Sequence, residues 1–68
     1  MNCYIIKTHY SEKHDAIKLQ LITESSLQFY KEIARIVQLL NKERKKARYT
    51  LIYADNKRQA LNKAQERI

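Results

Sequence analysis

The residues with the most chemistry to offer are cations. Lys42, Arg44, Lys45, Lys46 and Arg48 crowd into residues 42–48, and Lys57, Arg58, Lys63 and Arg67 form a second group. Such side chains neutralise phosphates and release condensed counterions, which is the basis of salt-sensitive nucleic-acid binding. Tyr49 and Tyr53 interleave with them. Exposed tyrosines beside cations make a stacking platform for unpaired bases, worth ~1–3 kcal/mol per base. Lys42, Arg44, Lys45, Lys46, Arg48, Lys57 and Arg58 are therefore the expected contact set for nucleic acid or an acidic partner, with Tyr49 and Tyr53 as stacking residues. The plainer alternative is a solvated helix end, with the tyrosines packed into the core that a chain this short needs.

Other chemistries fare worse. Cys3, His9 and His14 are the soft and imidazole ligands, and they lack the close paired spacing of structural zinc sites. Cys3 and His9 share a strand face but lie ~20 Å apart along it, beyond the reach of a thiolate–imidazole pair. Cys3 reads better as a small buried hydrophobe. Glu12 and His14 could serve acid–base catalysis from a loop, but nothing holds their geometry. The sequence contains no glycine and no proline, so it can write no glycine-rich phosphate loop and no dinucleotide fingerprint. No enzyme, metal or cofactor is expected.

Those cations need elements to place them. Residues 3–10 read as a strand, with Tyr4, Ile6, Thr8 and Tyr10 on one face and Cys3, Ile5, Lys7 and His9 on the other. A polar break at 11–15 suits a hairpin loop. Residues 16–23 alternate as a second strand, with Ile17, Leu19 and Leu21 inward and Lys18 and Gln20 outward. Ser25 and Gln28 stand at capping-box spacing. A helix follows, its stripe running through Leu27, Tyr30, Ala34, Val37 and Leu40 and widened by Phe29, Ile33 and Ile36. It ends at Asn41 or runs on through Lys46. Residues 49–54 are β-branched and aromatic and read as a third strand. Asp55 or Asn56 caps a second helix with a thin stripe of Ala60, Leu61, Ala64 and Ile68. The expected fold is α+β, in the order ββαβα, as one small domain over residues 1–68. The rival is a hairpin followed by helix to the end.

The strand–helix–strand portion can form a crossover, with the first helix over one sheet face. The other face would show Ile5, Ile52 and Cys3 or their alternates, covered by the second helix or by a partner. An exposed apolar sheet face or an open edge strand would suit protein contact, a homodimer included.

Charge and composition narrow the class. The chain has 68 residues and a net charge of +7, and residues 35–68 hold all of that excess. No apolar run approaches a membrane span and no signal peptide follows Met1, so a cytoplasmic protein without membrane contact is expected. One cysteine excludes an internal disulfide framework. Abundant Lys, Ile, Asn and Tyr suit an AT-rich gene of a phage or plasmid.

The opening Tyr4-Ile5-Ile6-Lys7, with Thr23-Glu24-Ser25-Ser26-Leu27 leading into the helix, resembles some small phage-encoded CRISPR inhibitors over residues 4–36. That resemblance implies an inhibitor that docks on a nucleoprotein complex. The charged C-terminal helix departs from the pattern, and +7 argues against mimicry of phosphate. Two readings stand: a basic protein binding nucleic acid or a nucleoprotein complex, and a mobile-element inhibitor acting by protein contact.

Overall fold

The structure, a computed structural model, describes residues 1–13, 15–43 and 47–67. His14, Arg44, Lys45, Lys46 and Ile68 lie outside the described residues. Strand β1 (Asn2–Tyr10) and strand β2 (Ala16–Ser26) form the expected hairpin. With no glycine available, Ser11 closes its loop from both sides: its N–H donates to the Asp15 carbonyl (2.8 Å), and its Oγ accepts from the Asp15 N–H (3.2 Å). One 3-10 turn (Leu27–Phe29) leads into helix α1 (Tyr30–Glu43), followed by strand β3 (Ala47–Ala54) and helix α2 (Lys57–Glu66).

The sheet order is β2-β1-β3, with both outer strands antiparallel to β1. The outer strands are therefore parallel to each other, and α1 carries the chain across the central strand. Strand β3 pairs from Ala47 against His9 to Ala54 against Asn2. That excludes an all-helical C-terminal half. Both helices run toward the end where the hairpin loop and the start of β3 meet; this is the hairpin end of the molecule.

Each sheet face has its own helix. Tyr4, Ile6, Ile52 and Ala54 pack with Ala60 and Ala64 of α2, flanked by Leu19, Leu21 and Leu61. Cys3, Ile5 and Tyr49 pack with Ile33 and Val37 of α1, flanked by Leu40 and Leu51. The alanines of α2 let a helix with a thin stripe sit close to the sheet. Ile5 pairs with Leu51, not Ile52, so Ile5 and Ile52 lie on opposite faces, and both are buried. Of the two covers expected for the second face, the second helix supplies it among the described residues.

Two helix starts differ in kind. Strand β2 runs on to Ser26, so Ser25 pairs with Cys3 and the expected Ser25–Gln28 capping box is not formed. Ser26 holds the cap position in extended conformation without a side-chain cap bond. Pairing with β1 outcompetes the local capping motif. Asn56 does cap α2, its Oδ1 accepting from the Gln59 N–H at 2.9 Å, while Gln59 Oε1 accepts from the Asp55 N–H at 3.1 Å. The apolar stripe of α1 also sits differently. Its buried centre is Ile33 and Val37, leaving Leu27, Phe29, Tyr30, Ile36 and Leu39 exposed.

Candidate functional site

Lys42 lies in the last turn of α1 and Arg48 near the start of β3, and both are exposed. The Asn41 side chain holds these two segments together through the Tyr49 backbone. Lys57 and Arg58 open α2 beyond the other end of β3. Six residues of strand separate Arg48 from Ala54, which is ~20 Å. The expected cations are therefore not one patch: Lys42 and Arg48 share the hairpin end, and Lys57 and Arg58 sit at the opposite end.

Helix α2 doubles back along the sheet and returns a different cation. Arg67 lines a cleft with Arg48, Thr8, Tyr10, Thr50 and Ala64, of about 230 Å³. Arg48 lies directly opposite Thr8 and Thr50 opposite Ile6, so the sheet pairing places these groups side by side. On the other face of the same end, Lys7 sits opposite both Tyr49 and Gln20, and His9 opposite Lys18. Lys7 Nζ is 5.7 Å from the centre of the Tyr49 ring, and His9 Nε2 is 3.1 Å from Gln20 Oε1. Arg67, Lys7, Lys18, Thr8 and Thr50 were not in the expected contact set. Strand alternation assigns Thr8, Lys7 and Lys18 to faces, but only pairing sets Thr8 beside Arg48 and Lys7 and Lys18 at the same end of the other face.

The two tyrosines separate. Tyr49 is 6% exposed and packs under α1, so its ring presents no free face to a base. Tyr53 is 38% exposed at the far end of β3, where its carbonyl accepts from Lys63 Nζ at 2.7 Å. They do not form a shared stacking platform.

Helix ends explain part of the basic end on their own. Lys42 lies in the last turn of α1, where the partial negative charge of the helix terminus favours a cation. That account does not cover Arg48, Lys7 or Lys18, which are on strands.

Among the described residues, two titratable groups are displaced from their ordinary values. The hydrogen bond from Tyr4 to Glu24 Oε2 (2.6 Å) holds the Tyr4 phenol above the usual tyrosine range; burial adds to this and the contact from Asn2 opposes it. Burial pushes the Cys3 thiol up, which leaves it protonated and a poor nucleophile. Among the described residues, no three His, Cys, Asp or Glu side chains gather as metal ligands. Nor is any helix there long and apolar enough to cross a membrane.

No protein-family model matches the chain, and neither a curated protein nor a solved structure matches it.

Proposed function

We propose that this chain is a non-enzymatic binding protein that grips nucleic acid, free or within a nucleoprotein complex, with its hairpin end. The observation that carries this reading is the meeting of Arg48 and Arg67 in one cleft, with Lys42, Lys7 and Lys18 at the same end on the α1 side of the sheet. Cations drawn from three strands and the ends of both helices to one end follow a phosphate backbone better than a single basic loop does. Lys57 and Arg58 are too far away to share the same few phosphates and take a secondary part.

The test is binding of labelled single- and double-stranded DNA and RNA across ~50–500 mM salt. Engagement of about four phosphates gives a log–log slope near −3 to −4. Arg48→Glu with Arg67→Glu should abolish binding, while Lys57→Glu with Arg58→Glu should weaken it less. Failure to bind at the lowest salt, or equal losses in the two pairs, would sink the reading.

A second reading has its own observation. Phe29, Ile36 and Leu39 leave one flank of α1 apolar and exposed. A mobile-element inhibitor acting by protein contact would use that flank rather than the buried Ile5 and Ile52. Its binding would resist salt and fail in Ile36→Lys.

A further inference from the structure

We infer that the cleft between Thr8, Thr50, Arg48 and Arg67 is a phosphoryl-binding site. This rests on the nucleic-acid reading in taking a strand's phosphate as the occupant. The cleft follows from unequal lengths. Ten residues of α2 span ~15 Å, whereas nine residues of β1 span ~30 Å, so the helix stops short and leaves the hairpin end of that sheet face open. Ala64, the last buried residue of α2, adds little bulk, and the space of about 230 Å³ remains.

The lining is chemically one-sided. Its lining residues are two arginines, two threonines, one tyrosine and one alanine, and among the described residues no carboxylate lines it. Thr8 is 5% exposed and lines the cleft, so packing rather than solvent fixes its position there. Guanidinium forks match oxyanions in plane and in pairs. A phosphoryl group offers three or four acceptor oxygens to this set, where a carboxylate offers two. Phosphate is therefore the better occupant than an acidic peptide.

The test is a ¹H–¹⁵N NMR titration with inorganic phosphate, matched to acetate at equal ionic strength, followed by a short oligonucleotide with and without a 5′-phosphate. Phosphate should give saturable shifts at the Thr8 and Thr50 amides and the Arg48 and Arg67 side chains, and acetate should not. Arg48→Gln and Arg67→Gln should each weaken phosphate binding by about three- to tenfold, as expected for partly exposed charge-assisted bonds. Lys31→Gln, exposed in the first turn of α1, should leave it within about twofold, and the dispersion of each spectrum checks the fold. The same shifts with either oligonucleotide assign the phosphoryl group to a strand. Saturation by phosphate with no response to oligonucleotide keeps the site, assigns it to small phosphorylated molecules and counts against the nucleic-acid reading. No response at these four residues overturns the site, even if the oligonucleotide binds through Lys7, Lys18 and Lys42. Equal responses to acetate and phosphate overturn it in favour of an acidic peptide.

Discussion

The side chain of Asn41 bonds both backbone groups of Tyr49: its Nδ2 donates to the Tyr49 carbonyl at 2.9 Å, and its Oδ1 accepts from the Tyr49 N–H at 2.8 Å. One amide thus stands where a neighbouring strand would, on the open edge of β3. Lys63 covers the Tyr53 carbonyl farther along the same edge. An unpaired edge invites strand addition by another chain, and these contacts blunt it. The Asn41 bonds also fix the last turn of α1 against β3, and hence Lys42 at the same end of the molecule as Arg48.

Replacing this amide should cost stability and expose the edge. Asn41→Ala removes two part-buried hydrogen bonds and should destabilise by about 1–2 kcal/mol. Asn41→Asp should do at least as much harm, since a carboxylate oxygen would face the Tyr49 carbonyl. Urea unfolding measures the loss, and size-exclusion chromatography at rising concentration reads self-association. Wild-type stability in both variants would show that the contact holds nothing.

The position of the buried stripe on α1 and β3 makes a sharp contrast. Ile52 is fully buried between β1 and α2, and Ile52→Ala should cost about 2–5 kcal/mol. Leu39 is 60% exposed, and Leu39→Ala should stay within about 0.5 kcal/mol. Thermal unfolding of the pair decides it; comparable losses would mean that the flank of α1 is covered after all.

The Cys3 thiol should be silent in the folded protein. It is buried and held protonated, so attack on a disulfide reagent requires the sheet to open. The reaction with such a reagent should be slow and should accelerate with sub-denaturing urea. Labelling at the rate of a free thiol would refute the placement of Cys3 beneath α1.

Stability should fall at high pH through Tyr4. Its folded pKa is raised, so its contribution is complete below the ordinary tyrosine value of 10.0 and is lost as pH climbs through the higher folded value. Tyr4→Phe removes that dependence and should unfold less steeply with pH in the alkaline range. Ultraviolet titration should show a tyrosine ionisation above the ordinary value of 10.0 that Tyr4→Phe removes. Identical alkaline profiles for the two proteins would contradict the Tyr4–Glu24 bond.

Period-two alternation and turn-forming residues were enough to define most of the elements from sequence. The faces of β1, the outward Lys18 and Gln20, the strand at 49–54 and the Asn56–Gln59 cap all follow from interactions within a few residues. So does the concentration of charge after residue 34. What sequence alone could not settle depended on partners distant in the chain. The β1–β2 register shifts between Ile5 and Ile6, so Ile22 becomes an extra residue in β2. That bulge reverses the parity of the strand and sends Glu24 to the same face as Leu21, where it meets the Tyr4 hydroxyl. Local alternation continued through Thr23 would have put Glu24 on the other side. Pairing also drew Ser25 and Ser26 out of the helix start, because a ladder along β1 satisfies more backbone groups than one serine cap. The basic end has the same origin. Charge at Arg48 and Arg67 is plain in the sequence, but their meeting depends on α2 being shorter than the sheet it crosses and on Arg48 lying opposite Thr8. Residues 19 positions apart carry no local signal of contact, and only tertiary packing brings them together.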